Sequence, residues 1–279
     1  MVHEPLREEK VVFDASDGVS LSGVYHPTEG EPKASVVLAH GIMVHKDYDG
    51  FYPALAVDLA ARGFASLRFD FRGHGETGGK PEHMTVAGEL RDLAAAVQLL
   101  RRRGAPQVGI VGTSFGAAVS VLYAARTRKR PFALVLLSSV LDFRRTFLEP
   151  ETPWGKKWFT PQGLTEARTR GKLDLGFFAL GTELLREFED LKPAVVLRDL
   201  EIPILMVHSE GDPIAPFQPA YAAALSAPGV TFVRIDGPGH YFEGSRDRVF
   251  LTVLEWIEDS LTQQRRAPSP RRAGAAGRD

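Results

Sequence analysis

The chain predicts an α/β fold: a mostly parallel sheet of eight strands with helices on both faces and an inserted helical cap. Two observations lead there. From residue 34 onward, apolar runs of strand length alternate with stretches of helical periodicity, the pattern of a parallel sheet covered on both sides. Between residues 141 and 199 that alternation stops, and so long a segment is rarely structureless inside a compact domain. The expected division is a core of residues 1–140 and 200–264, a helical cap of residues 141–199, and a disordered basic tail of residues 265–279.

At the start of the chain, "EEKVVFDA" and "VSLSGVYHP" alternate polar and apolar residues around "SDG" and read as a hairpin. "ASVVLAH" (34–40) reads as a buried strand. The helical repeat Phe51–Arg62 stops at Gly63, and "FASLRF" (64–69) is the next strand. Val86–Arg103 is a long helix ended by Gly104, "QVGIV" (107–111) a strand, and Gly116–Arg126 a helix. "FALVLLS" (132–138) and "IPILMVHS" (202–209) are strands. Pro219–Leu225 is a short helix, "VTFVRID" (230–236) the last strand, and Arg246–Leu261 a closing amphipathic helix.

Composition removes several classes of function. With 44% hydrophobic residues over 279 positions, a large core is available. Cysteine is absent, which excludes disulfide and thiolate chemistry. The net charge is −1, but the last fifteen residues carry five Arg and one Asp, so the remainder lies near −5. Such a body has no general attraction for nucleic acid or an anionic membrane. "MVHEPLREEKVVF" lacks an apolar core of signal-peptide length, and no uncharged apolar run reaches membrane-spanning length, so a cytoplasmic location is the expectation.

The chemistry centres on "GIVGTSFGAAVS" (109–120). An apolar strand turning sharply into an Ala-rich helix exposes Ser114 at the turn, with Gly112 and Gly116 where larger side chains would collide with the neighbouring strand and helix. In an open parallel sheet, reacting groups collect at the carboxyl ends of strands. The segments just past those ends carry His40, Asp70, His74, Ser114, Asp212 and His240, which places all six on one edge. A serine hydroxyl needs a base, and the base needs a carboxylate. His240, in the loop "GPGHYF", is the best base, and Asp212, in "EGDPIAP", the best carboxylate; Asp236 and Glu210 compete with Asp212. His208 reads as structural, His45 as a residue of the site's mouth, and His3, His26 and His83 as surface residues. The backbone N–H groups of Phe115 and Ile42 are the natural oxyanion donors, with His40 a hydrogen-bonding residue beneath the second loop.

The stretches "HGI", "DFRGHGETGG", "GTSFGA", "HSEGDPIAP" and "GPGHYF" resemble the serine α/β-hydrolase superfamily in order and spacing, over residues 8–261. Within it the chain is most similar to feruloyl (cinnamoyl) esterases, "GTELLREFEDLKP" being similar to their cap exit. Monoacylglycerol lipases and acyl thioesterases come next. The resemblance implies a Ser114–Asp212–His240 triad, hydrolysis through an acyl-enzyme, and no cofactor. One departure is Ile42, where many relatives carry an aromatic residue.

Other chemistries fit less well. "RGHGETGG" is not a dinucleotide-binding fingerprint, and His40 with His45 lacks a third metal ligand. A dehalogenase or epoxide hydrolase would need a carboxylate at position 114. The expected partner is a small-molecule ester, with no nucleic acid and no membrane; the oligomeric state, a homodimer included, stays open. Thioester or peptide hydrolysis on the same triad, and a non-catalytic binding role, are the alternatives. In the cap, Phe143, Phe147, Trp154, Trp158, Phe159, Phe177 and Phe178 divide between the cap's own core and an apolar slot above Ser114. Arg144, Arg145, Lys156 and Lys157 read as a solvated rim. The expected substrates are therefore esters with an apolar or aromatic acyl group of small to medium size.

Overall fold

A computed structural model describes residues 8–266. In chain order the main sheet takes β1 (Glu9–Asp14), β2 (Ser20–His26), β3 (Ala34–Ala39), β4 (Phe64–Phe69), β5 (Val108–Thr113), β6 (Leu134–Leu137), β9 (Ile204–Gly211) and β10 (Val230–Pro238). The strands β3 to β6 are buried at every residue, as their near-continuous apolar sequences require of strands covered on both faces. The spatial order is β1-β2-β4-β3-β5-β6-β9-β10. Only the β1–β2 and β2–β4 pairs are antiparallel; all others are parallel. The expected α/β class and eight-stranded sheet are thus what the chain builds.

Side chains alternate across this sheet with period two. Val36, Leu38, Val111, Val135, Leu205 and Val207 pack under α1 (Phe51–Ala61) and α9 (Arg246–Arg266). Val37, Ile110, Leu136 and Met206 face the other way, toward α2 (Val86–Arg102), α3 (Phe115–Arg126) and α8 (Phe217–Leu225). Among the described residues, no helix is long and apolar enough to cross a membrane.

Between β6 and β9 the chain leaves the sheet. A π-helical turn, Arg144–Leu148, is succeeded by α4 (Pro153–Trp158) and α5 (Pro161–Arg170). Both helices start the same way: Thr152 and Thr160 accept the N–H groups of Gly155 and Gly163, and proline fills the first helical position. Then come β7 (Lys172–Asp174), β8 (Ala179–Gly181), α6 (Thr182–Asp190) and α7 (Pro193–Leu197).

Several expectations need correction. The insertion is not wholly helical, because β7 and β8 form an antiparallel hairpin. Gly176 turns it at φ 83°, and the Leu175 N–H donates to the Phe178 carbonyl at 2.9 Å. Strands of three residues are too short to show a period. The helix α7, at the end of the insertion, packs on α3 and α8. Arg265 and Arg266, assigned to the tail, close α9; its end is tied down by Gln264, which donates to the Phe132 carbonyl, and Arg265, which donates to that of Lys33. The rest of the expected tail, and His3, lie outside the described residues. His26 is not a surface residue: it is buried on β2, with Nδ1 3.1 Å from Glu8.

Candidate active site

Ser114 joins β5 to α3 with φ 56° and ψ −118°, a conformation that non-glycine residues rarely adopt. Neighbouring strands hold it there. Its N–H donates to the Leu137 carbonyl at 2.8 Å, and its carbonyl accepts from Val140 at 3.1 Å. The flanking glycines allow the close approach. A Cβ on Gly116 would stand 2.3 Å from the His40 carbonyl oxygen, and one on Gly112 would stand 2.7 Å from that of Gly116. The loop after β3 runs beside the serine, since a Cβ on Gly41 would come within 2.9 Å of Ser114 Cβ. Ile42 and Phe115, whose N–H groups are the expected oxyanion donors, therefore neighbour residues in contact with each other.

His240 and Asp212 meet across the loops after β10 and β9. The His240 Nδ1 lies 2.8 Å from Asp212 Oδ2 and 3.0 Å from Oδ1, and both residues are buried. Facing a carboxylate, Nδ1 is the donor. Asp212 is fixed in turn by the N–H groups of Ile214 and Ala215, which donate to Oδ1 at 2.8 and 2.9 Å. Burial pushes the Asp212 carboxyl up. The charge and hydrogen bond of His240, His208 and the Ile214 N–H outweigh it, so the group is held below its ordinary value. The two rivals point elsewhere: Asp236 is largely exposed and sits 3.3 Å from Arg234, and Glu210 faces the same arginine at 3.8 Å.

The other histidines of this edge bond to backbone. His208 is buried, with Nε2 3.2 Å from the Ala215 carbonyl and 3.6 Å from Asp212. His40 donates from Nδ1 to the Gly41 carbonyl at 2.7 Å and accepts the Phe71 N–H at Nε2, at 3.0 Å. His74 donates from Nδ1 to the Arg72 carbonyl and accepts the Met43 N–H at Nε2, at 3.2 Å. Burial pushes His40 down to about 4 and His74 down to about 3. Asp70 is wholly buried and accepts from the Lys46 N–H and Nζ, at 2.7 and 2.8 Å, bolting the loop after β3 to the loop after β4.

A cavity of about 170 Å³ opens over Ser114 and His240. The insertion contributes Phe147, Trp154 and Phe177 to its wall, and the core contributes Ile42, Met43, Val44, Tyr48, Val140, Ile214 and Tyr241. Phe143, Phe147, Phe159 and Phe188 pack on one another and on Phe115 within the insertion's own core. Phe178 turns away to lie 5.1 Å from the His74 ring. The expected division of the cap aromatics omitted Val44, Val140, Ile214 and Tyr241. Each lies close in sequence to a strand end on the edge that carries Ser114, so strand-end proximity was the available signal.

An eight-stranded, mostly parallel sheet carrying a serine elbow after its central strand is the α/β-hydrolase fold. The hydrolase family described as serine aminopeptidase, S33, matches residues 30–174, more than half of the chain, and the chain belongs to that family. It is similar to an uncharacterized protein of Mycobacterium tuberculosis, 33% identical over 129 residues, 46% of this chain and 44% of that protein. It is also similar to a monoacylglycerol lipase of Mycolicibacterium smegmatis, 33% identical over 133 residues, 44% of each. The chain thus spans under half the length of these curated relatives. Among solved structures, Est1E from Butyrivibrio proteoclasticus with ferulic acid bound matches 90% of this chain and 100% of its own, with a TM-score of 0.78 at 22% identity.

Proposed function

We propose that the protein is a serine esterase that hydrolyses carboxylic esters with small to medium apolar or aromatic acyl groups. The observation that carries this reading is that Ser114 and His240 share one cavity whose lining, among the described residues, includes no Asp, Glu, Lys or Arg. In this mechanism His240 Nε2 takes the Ser114 hydroxyl proton as Oγ attacks the ester carbonyl. Asp212 stabilises the imidazolium, and the N–H groups of Ile42 and Phe115 stabilise the oxyanion. The carbonyl re-forms, and the alcohol leaves with the proton from His240. Water, deprotonated by His240, then attacks the acyl-enzyme, and the acid departs as Ser114 regains its proton.

Cavity size bounds the acyl group. An apolar cavity of ~150 Å³ holds a benzene ring, so 170 Å³ suits a single ring or a short chain. The names of relatives, a monoacylglycerol lipase and a ferulic-acid-bound Est1E, support ester chemistry. The family description raises aminopeptidase activity on the same groups. A free α-amino group in a buried subsite needs a carboxylate, and none lines this one.

The test compares kcat/KM for p-nitrophenyl acetate, butyrate, cinnamate and palmitate with that for an aminoacyl p-nitroanilide, and labels Ser114 with a fluorophosphonate. Expected are fast turnover of butyrate or cinnamate, slow turnover of palmitate and the anilide, and no labelling of Ser114→Ala. Preferred hydrolysis of the anilide would favour the peptidase reading. Equal labelling of wild type and Ser114→Ala would remove the nucleophile.

A further inference from the structure

Two buried imidazoles outside the proposed triad lock two loops to each other. His40, on the loop after β3, accepts the N–H of Phe71 on the loop after β4. His74, on the loop after β4, accepts the N–H of Met43 on the loop after β3. Their rings lie 5.0 Å apart, edge to face. Each donates Nδ1–H to a backbone carbonyl, of Gly41 or of Arg72, which fixes the tautomer and leaves Nε2 as the acceptor. The clamped residue, Met43, has φ 65°, lines the cavity, and directly succeeds Ile42.

We propose that His74 is a positioning residue for oxyanion stabilisation, resting on the serine-esterase reading above. By holding the Met43 N–H, its Nε2 lone pair fixes the Ile42–Met43 peptide plane, and through the backbone torsions of Ile42 it restrains the adjoining Gly41–Ile42 plane that carries the Ile42 N–H. Without an acceptor, the part-buried Met43 N–H loses its partner, and the left-handed turn loses a bond that selects it. The Ile42 donor then swings off the position where charge develops. Such a change acts on the transition state and leaves ground-state binding in the cavity largely intact.

Three substitutions separate this role from simple packing. His74→Phe keeps a ring against His40 and Phe178 but has no acceptor. His74→Gln can place Oε1 near the position of the imidazole Nε2. His74→Asn offers the same amide, one methylene short of Met43. With p-nitrophenyl butyrate, the Phe and Asn variants should lose about 10- to 100-fold in kcat with KM changed less than about threefold, below the 10²–10³-fold loss of an outright deleted donor. The Gln variant should stay within about fivefold of wild type. A trifluoromethyl ketone, which forms an oxyanion adduct with the serine, should lose affinity in parallel with kcat. If His74→Phe does not fold, the Gln and Asn pair decides. Wild-type kcat in a folded Phe or Asn variant, a change confined to KM, or equal losses in Gln and Asn would overturn the proposal. Inactive wild type with unlabelled Ser114 would instead overturn the esterase reading.

Discussion

Acid should loosen the clamp between the loops after β3 and β4, and the His74→Gln variant isolates its share. Burial is the leading cause that lowers His74 from an ordinary 6.5 to about 3, so the folded protein refuses a proton that the unfolded chain accepts. Stability linked to this group is therefore complete above the unfolded value and is lost as pH falls below 6.5, until the folded value near 3 is reached. At about 1.4 kcal/mol per pH unit, moving from pH 7 to pH 5 removes about 2 kcal/mol through His74 alone. Other buried groups titrate too: His40 and His208 act in the same direction, while Glu89, pushed well up by burial, acts in the opposite one. The difference between wild type and His74→Gln cancels these shared contributions. Urea unfolding at pH 7, 6 and 5 should show the gap between the two proteins moving by about 2 kcal/mol in favour of the variant as pH falls. Parallel profiles would refute the reasoning, because they would mean that His74 binds its proton equally well in both states.

Asp212→Asn should lower kcat by up to about 10⁴-fold, while Asp236→Asn, at an exposed residue beside Arg234, should change it by less than about threefold; steady-state kinetics on one ester rank the two. Gly116→Ala should destabilise the fold by about 3 kcal/mol or more in urea unfolding, because its Cβ would meet backbone carbonyls of Ala39 and His40 at 2.5 and 2.3 Å. Phe177→Ala removes an exposed wall of the cavity and should narrow the kcat/KM gap between butyrate and palmitate esters several-fold, with acetate nearly unchanged.

The sheet was legible because its central strands are near-continuous apolar runs set between helical repeats, and its first two strands alternate polar and apolar residues. The candidate site was legible at the strand ends, where Ser114, Asp212 and His240 stand in motifs that strand order brings to one edge. What stayed hidden has physical causes. The hairpin of β7 and β8 contributes three residues per strand, too few for periodicity. His26 reads as polar and exposed, yet β2 buries it, and Glu8, paired with the buried Arg68, reaches its Nδ1 from the surface. The reciprocal clamp of His40 and His74 depends on which backbone N–H each ring meets, and that is set by the loops' folded paths. The fastening of insertion to core is equally nonlocal: Glu187, on α6, accepts the N–H groups of Val86 and Ala87 at the start of α2, about a hundred residues earlier, where a negative side chain suits the helix end.

Four buried histidines lie along the sheet edge that carries Ser114, and their partners distinguish the proposed base from the rest. His40, His74 and His208 each bond to a backbone carbonyl, at 2.7, 3.1 and 3.2 Å. A carbonyl dipole satisfies a neutral imidazole's N–H but does little for the cation formed when the other nitrogen takes a proton, and burial makes that cation costly. Burial accordingly pushes all three below the ordinary histidine value. Of the four, His240 alone meets a carboxylate at hydrogen-bond distance, with Asp212 Oδ2 at 2.8 Å; His208 reaches the same oxygen only at 3.6 Å. In the proposed mechanism a buried carboxylate supplies a full opposite charge at the moment Nε2 is protonated, and the Ile214 and Ala215 N–H groups keep that carboxylate in place. The loop "EGDPIAP" therefore does for His240 what the backbone carbonyls cannot do for the other three. It gives His240 a charged partner, while the neighbouring rings, which burial disfavours as cations, serve as fixed hydrogen-bonding struts for the loops that carry Ile42 and Asp212.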